Sequence, residues 1–106
     1  MDESEFEARA AAALEAIERA LEVAGVEADV ELKGGGILEI EFADGAKMLV
    51  NRHAAAREIW VAARSGGFPF RWDGVAWRDT RSGEELLEAL SGLLSRQLGR
   101  RVRLLG

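Results

Sequence analysis

The stretch Ile37–Asn51, ILEIEFADGAKMLVN, decides the fold of this chain. In its first half, from Leu38 to Phe42, apolar and acidic side chains alternate, and this period of two is typical of a β-strand with one buried face. The pair Asp44-Gly45 is a strong signal for a two-residue hairpin turn, after which the chain can return antiparallel to the first strand. An antiparallel sheet is therefore predicted in the middle of the chain.

Further strands are predicted on both sides of this hairpin. Acidic and aliphatic residues alternate again before the glycine run Gly34–Gly36, which is turn chemistry between strands. Gly-Gly and Asp-Gly pairs separate the later strands in the same way. The additional strands are predicted at Glu27–Leu32, Arg57–Arg64, Phe68–Trp72 and Val75–Trp77. For one of them the pattern leaves an alternative, because Ala54–Ala63 is also compatible with a helix.

Helices are predicted at both ends of the chain. The sequence SEFE at Ser4–Glu7 has the spacing of a capping box, so we expect a first helix over about Glu5–Ala24, ended by Gly25. The sequence SGEE at Ser82–Glu85 has the same spacing, and a leucine-rich helical face follows it up to Gly99. The core stripe of the first helix is predicted to be Phe6, Ala10, Ala13, Leu14, Ile17, Leu21 and Ala24.

Together these elements predict an α+β fold of the α-β-α sandwich type. A meander sheet of about five to six antiparallel strands is expected to carry the N-terminal and C-terminal helices on one face and to leave the other face to solvent. The length of 106 residues suits one hydrophobic core, so residues 1–106 are expected to form a single domain.

The composition restricts the chemistry that this chain can perform. Cysteine is absent, which excludes disulfides, thiolate metal sites and cysteine nucleophiles within the chain. His53 is the only histidine and is expected in an exposed loop, so any metal must be held mainly by oxygen ligands. An acidic pI of about 4.9 disfavours a nucleic-acid partner. No apolar run is long enough for a membrane span, and the acidic start is unlike a secretory signal, so a cytoplasmic location is expected.

The acidic residues are concentrated near the N-terminus. Residues 1–31 contain ten carboxylates against two arginines, whereas the rest of the chain is net positive. Helical and strand periodicity sort most of these acids into two lines. The lines are Glu7, Glu15, Glu18 and Glu22 on one helix flank, and Glu27, Asp29 and Glu31 on one strand face. They are either solvated surfaces or, if the strand edge lies beside the helix, a combined surface for a cation or a basic partner.

Trp60 is the most informative single residue. In the strand Arg57–Arg64 it shares a face with polar residues, while Ile59 and Val61 share the other. If the aliphatic face is inward, Trp60 stands on the open sheet face, where an exposed tryptophan is a typical binding anchor. The alternative is that Trp60 packs against Leu49 or another cross-strand neighbour and only stiffens the sheet.

Catalysis has little support in the sequence. Asn51, His53 and Asp79 could form a polar cluster, but no nucleophile elbow, phosphate-binding loop or histidine pair accompanies them. We therefore do not expect an enzyme, and an iron-oxidising activity would need an inward-facing carboxylate cage that the pattern does not supply.

The order of these motifs resembles the bacterial frataxin (CyaY) family over nearly the whole chain. The matching segments are Ser4-Glu5-Phe6, the glycine turn before Ile37–Phe42, Asp44-Gly45, Asn51-Arg52, Ile59-Trp60, Gly66-Gly67-Phe68, Trp77 and Asp79–Glu84. The resemblance implies a compact α-β-α sandwich with an acidic ridge on its first helix and first strand. Carried over by position, the acidic ridge consists of Glu3, Glu7, Glu15, Glu18, Glu22, Glu27, Asp29 and Glu31.

The resemblance also implies a function. Family members bind iron, as Fe2+ or Fe3+, weakly through ridge carboxylates and regulate or supply iron-sulfur cluster assembly. They dock on a cysteine desulfurase, for which Glu18 and Glu22 are the expected contacts, and on the iron-sulfur scaffold protein, which the tryptophan matched by Trp60 faces. Asn51 matches the asparagine of the neighbouring strand and is an expected partner-binding residue. A metal-independent interaction module that modulates the desulfurase is the alternative. A monomer is expected, with iron-dependent oligomerisation as an alternative, and neither nucleic acid nor membrane is an expected partner.

Two departures from the family pattern affect these expectations. The segment Val23–Ala28 is often densely acidic in the family but here contains valines and alanines, so fewer or weaker iron sites are expected. After Asn51-Arg52 the family usually continues with glutamine and a nearby proline, whereas this chain has His53 and an alanine run, which changes the expected loop.

Overall fold

The computed structural model describes residues 1–105 of the chain. Its helices are α1 (Glu3–Val23) and α2 (Leu86–Leu98), and a short 3-10 turn spans Ala54–Ala56. The strands are β1 (Asp29–Lys33), β2 (Ile37–Glu41), β3 (Lys47–His53), β4 (Glu58–Ala63), β5 (Gly66–Trp72) and β6 (Trp77–Asp79). All six strands form one antiparallel sheet in the order β1-β2-β3-β4-β5-β6. The predicted α+β fold with a meander sheet and two terminal helices is confirmed.

Alternating side chains divide the sheet into a helix-covered face and an open face. The inward side chains of the central strands are fully buried, as Ile40, Val50 and Ile59 illustrate, and they pack with both helices into one hydrophobic cluster. The α1 residues in this cluster are Phe6, Ala10, Leu14, Ile17, Ala20 and Leu21. Because both helices bury their apolar sides on the same sheet face, the opposite face is free for other contacts.

Both helix starts differ from the capping boxes predicted from sequence. The cap of α1 is Asp2, whose Oδ1 accepts a hydrogen bond of 2.7 Å from the Glu5 backbone N–H. The cap of α2 is Glu85, which accepts from the N–H groups of the following turn. Ser82 instead lies in a turn whose N–H groups bond to the buried carboxylate of Asp79, so it cannot begin the helix.

The end of α1 follows the sequence prediction. Gly25 adopts a φ of 68° directly after the cap residue Ala24, and its N–H donates to the Glu22 carbonyl. The Val26 N–H donates to the Leu21 carbonyl, which completes a Schellman motif. This arrangement satisfies the last carbonyls of the helix and reverses the chain toward β1.

The hairpin and strand boundaries differ in detail from the predictions. Between β2 and β3 the Phe42 N–H donates to the Ala46 carbonyl, so the turn itself has three residues, 43–45, and it is closed by a bond from the Gly45 N–H, at positive φ, to the Phe42 carbonyl. Strand β1 begins at Asp29 instead of Glu27, and Val75 lies in an exposed turn instead of a strand. In that turn the Val75 N–H bonds to the side chain of Asp73. The alternative helix over Ala54–Ala63 is wrong, because β4 occupies most of that segment.

The C-terminal tail packs along α2. Val102 and Leu104 are buried, and their backbone N–H groups donate to the hydroxyls of Ser95 and Ser91, at 2.9 Å each. Two serines one helical turn apart therefore hold the extended tail against the core. Within residues 1–105, neither helix has the length and apolarity needed to cross a membrane.

Candidate protein-interaction surface

Strand register places Trp60 at the centre of the open sheet face. Across the sheet, Trp60 lies opposite Asn51 of β3 on one side and Pro69 of β5 on the other. Its chain neighbours Ile59 and Val61 are buried on the other face, whereas Trp60 is 43% exposed. The geometry thus brings together Trp60 and Asn51, two of the residues that the resemblance indicated for partner binding.

Two neighbours fix the orientation of the Trp60 ring. The His53 imidazole stacks on it, with ring centroids 4.2 Å apart and planes 1° from parallel. The Trp60 indole N–H donates a 2.8 Å hydrogen bond to Oε1 of Glu58. The expectation of an exposed loop position for His53 is wrong, because this residue ends β3 and is partly buried. Trp60 is therefore both exposed and packed, which combines the two alternatives drawn from the sequence.

Glu58 is the buried acid that supports this arrangement. Its side chain shares the open sheet face with Trp60, yet the residue is only 8% exposed. Oε1 accepts from Trp60, while Oε2 accepts a 2.8 Å bond from Nη2 of Arg71, its cross-strand partner on β5. Because both oxygens have charged or polar donors, the buried carboxylate is satisfied. The sequence contains one signal for this contact: Glu58 and Trp60 are two residues apart in a predicted strand, so their side chains lie on the same face.

An apolar cleft borders Trp60 on the side of β5. It has a volume of about 370 Å³. Its lining residues are Trp60, Val61, Ala62, Gly67, Phe68, Pro69 and Arg81. The cleft exists because Gly67 has no side chain and lies opposite the small Ala62, so the space next to the indole is unfilled.

The α1 part of the acidic ridge is a line of solvated carboxylates. Glu15 and Glu22 are exposed and Glu18 is partly buried, as expected for a helix flank. Glu7 differs, because its carboxylate forms an ion pair with Arg52 at the end of β3. Glu7 is therefore already neutralised within the chain and contributes less to a surface for an external cation or base.

The β1 part of the acidic ridge faces a different direction. Val30 and Leu32 pair with buried residues of β2, so Asp29 and Glu31 project to the open sheet face. There they lie directly opposite Glu41 and Glu39, respectively. The edge of β1 lies beside the α1 flank, since Glu7 and Glu15 line one groove with Leu32 and Lys33, whereas Asp29 and Glu31 project from the open sheet face. Glu27 precedes β1 in an exposed connection, and Glu3 lies in the first turn of α1.

Two acids that the sequence reasoning missed, Glu39 and Glu41, belong to this open-face group. Like charges that face each other across strands are destabilising, and Glu39 is partly compensated by Lys33 at 3.3 Å and Lys47 at 3.9 Å. Within residues 1–105, no set of three or more Asp, Glu or His side chains is close enough to hold a metal ion. The acidic ridge is thus not a preformed metal cage.

Comparison with known proteins gives consistent matches. A family model described as the Frataxin-like domain matches residues 1–100. The iron-sulfur cluster assembly protein CyaY of Dechloromonas aromatica (strain RCB) is 61% identical over 99 residues, which cover 93% of this chain and 94% of that protein. The protein of the same name from Cupriavidus metallidurans is 51% identical over 102 residues, covering 93% and 92%.

Solved structures have the same fold. A frataxin from Psychromonas ingrahamii superposes with a TM-score of 0.91 at 29% identity, covering all of both chains. A trimeric frataxin from the yeast Saccharomyces cerevisiae, complexed with ferrous iron, has a TM-score of 0.67 at 22% identity, over 94% of this chain and 88% of that one. At that identity the yeast protein supports the fold alone. The resemblance stated from the sequence is confirmed.

Proposed function

Since the chain belongs to the frataxin-like family, we propose that it acts in iron-sulfur cluster assembly as a non-catalytic docking protein. Its high-identity relatives carry the name iron-sulfur cluster assembly protein. The observation that supports docking most directly is Trp60, an exposed aromatic held in one orientation by His53 and Glu58. An anchor that is already ordered loses little side-chain entropy on binding, which favours affinity.

Each of the two proposed partners binds a different surface of the chain. The open sheet face around Trp60 and Asn51 contacts the iron-sulfur scaffold protein, and the α1 flank with Glu18 and Glu22 contacts a basic surface of the cysteine desulfurase. The first contact rests on an aromatic anchor and the second on charge complementarity, which sets association rate and specificity more than affinity. Docking in this way regulates the desulfurase without any chemistry performed by this chain. The cytoplasm is the proposed site of action.

Iron binding is the second candidate function. The observation that favours it is the pair of like-charge contacts across β1 and β2, Asp29 with Glu41 and Glu31 with Glu39, which a cation would relieve. Few carboxylates on a solvated surface give weak sites for hard cations. We therefore propose weak, accessory iron association and not tight storage.

Binding to the desulfurase and scaffold complex in chelator-containing buffer tests the docking proposal. We expect Trp60→Ala to weaken binding strongly, since hot-spot aromatics contribute about 2 kcal/mol or more. The matched control is Val75→Ala, which trims a residue that is 82% exposed in a distant turn. Equal binding of both variants and the unmodified chain would refute docking through the open face.

Charge reversal tests the α1 surface separately. Glu18→Lys with Glu22→Lys is expected to slow association with the desulfurase, whereas Glu84→Lys with Glu88→Lys changes net charge equally on exposed positions elsewhere. An identical effect of the two pairs would mean that only net charge matters.

Iron binding is tested by Fe2+ titration followed by NMR, which should broaden resonances of β1 and the α1 flank first. Absence of broadening there would remove the second candidate.

A further inference from the structure

The open sheet face carries opposite charges at its two ends. Toward β1 and β2 it presents Asp29, Glu31, Glu39 and Glu41, and toward β5 and β6 it presents three arginines, Arg71, Arg78 and Arg81. Arg71 is paired with Glu58 and Arg78 with Asp73, whereas no carboxylate within residues 1–105 forms an ion pair with Arg81. The basic end thus has an uncompensated guanidinium beside Trp60.

Arg81 is held in place at the rim of the apolar cleft. Its Nη2 donates to the Gly67 carbonyl, and its guanidinium lies 5.8 Å from the centre of the Phe68 ring. A guanidinium has five N–H donors, so most of them stay available after this bond. The cleft therefore combines an apolar interior, with Trp60 on one side, and a fixed cation at its edge.

The size and chemistry of the cleft select its occupant. A volume of about 370 Å³ lies at the low end of small-ligand sites, and the cleft opens onto a flat sheet face. That shape suits one side chain of a docked protein segment. One free arginine matches one carboxylate, whereas a phosphate is usually bound by a cluster of arginines.

We propose that the cleft binds an extended segment of a partner protein in which an apolar residue is directly followed by an acidic one. The apolar side chain enters the cleft beside Trp60, and the carboxylate accepts hydrogen bonds from Arg81. The proposal rests on the proposed docking function and specifies the chemistry of the partner at that surface. It follows from charge complementarity, since the same segment with a basic residue would meet the Arg81 guanidinium.

Blocked tetrapeptides titrated into the labelled full chain test this inference. The probes are Gly-Leu-Asp-Gly, its neutral isostere Gly-Leu-Asn-Gly, and Gly-Ser-Asp-Gly, which lacks the apolar anchor. We expect the first to shift the Trp60 indole N–H and the Gly67 amide resonances saturably. Its affinity should exceed that of each of the other two about five- to tenfold. Equal affinities, or no saturable shift with the first peptide, would overturn the proposal.

Substitution of Arg81 is the second test of this inference. Arg81→Gln should make Gly-Leu-Asp-Gly and Gly-Leu-Asn-Gly bind equally, while Arg103→Gln, at an exposed position of the tail, should leave the preference unchanged. An unshifted Trp77 indole signal, from the buried core, verifies that each variant is folded. A preference that survives Arg81→Gln contradicts the proposal. If the peptide preference survives in Arg81→Gln while Trp60→Ala still strongly weakens binding to the scaffold complex, the proposed docking function remains supported. Only the proposed residue types of the bound segment are then wrong.

Discussion

The hydrogen bond between Trp60 and Glu58 can be measured by a double-mutant cycle. Trp60→Phe keeps an aromatic ring that can stack on His53 but removes the indole N–H that donates to Glu58. Glu58→Ala removes the acceptor for both Trp60 and Arg71. The difference between the effect of Trp60→Phe in the native background and in the Glu58→Ala background isolates the coupling between the two side chains.

The structure sets the expected magnitudes. A hydrogen bond to a charged group contributes about 1.5–3 kcal/mol, but Trp60 is 43% exposed and water can replace part of it, so the coupling should be about 1–1.5 kcal/mol. The Arg71 side chain is 64% exposed, which limits its ion pair with Glu58 to about 1 kcal/mol or less. Glu58→Ala should therefore lower the free energy of unfolding by about 2 kcal/mol in total.

Urea unfolding followed by far-ultraviolet circular dichroism is the suitable assay, because tryptophan fluorescence itself changes with the substitution. Arg71→Ala is the control, since it removes the ion pair and leaves the bond between Trp60 and Glu58 in place. A coupling energy below about 0.5 kcal/mol, the usual error of additivity, would show that Glu58 does not hold the tryptophan.

Loss of Glu58 should also lower the affinity for the proposed scaffold partner. Without Glu58 the Trp60 side chain must be ordered at the moment of binding, at a cost of about 0.5–1.5 kcal/mol per immobilised side chain. The affinity for the scaffold complex should then fall about two- to tenfold, although Glu58 itself is buried and offers no contact surface. Undiminished affinity would mean that orientation of the indole does not limit docking.

Three further substitutions test other parts of the fold. Ser95→Ala removes the hydroxyl that accepts a hydrogen bond from the Val102 N–H and should cost about 1–3 kcal/mol in urea unfolding, whereas Ser65→Ala, at an exposed turn, should be neutral. Gly36→Ala places a Cβ into the Arg52 side chain at a φ of 79°, so a loss of about 1–2 kcal/mol is expected; a thermal midpoint equal to that of the unmodified chain would contradict this. The pKa of Asp73 is lowered from 3.8 by the backbone N–H groups of Ala76 and Val75 and by Arg78. Its stabilising effect is then present above pH 3.8 and lost as the pH falls below that value, so the stability difference from Asp73→Asn should shrink on acidification. A difference that is constant with pH would exclude a role for the charge.

Much of the fold follows from local pattern in the sequence. The alternation in β2 and β4 predicted correctly which face of each strand is buried, and with it the exposure of Trp60. The leucine face of α2 and the glycine after α1 were equally informative, because periodicity and left-handed backbone positions depend on nearest neighbours along the chain. The prediction of a capping box at Ser4 was wrong because Asp2, another residue type that caps helices, accepts from the Glu5 N–H instead.

The parts that could not be predicted depend on register between strands. Sequence placed Asp29 and Glu31 on one strand face, but only the pairing of β1 with β2 shows that Glu41 and Glu39 stand opposite them. In the same way His53 stacks on Trp60 because β3 and β4 pair in a particular register. A three-residue turn where two were expected shows why register cannot be read from alternation alone.

The separation of the two sheet faces has a consequence for thermodynamic linkage. A partner bound to the α1 flank and a partner bound around Trp60 contact different residues and do not compete for the same atoms. Any dependence of one affinity on the other must then arise from contact between the partners themselves or from a change transmitted through the packed sheet, and it must be reciprocal. On the proposed docking function, one small domain would link two partner proteins through separate groups of residues.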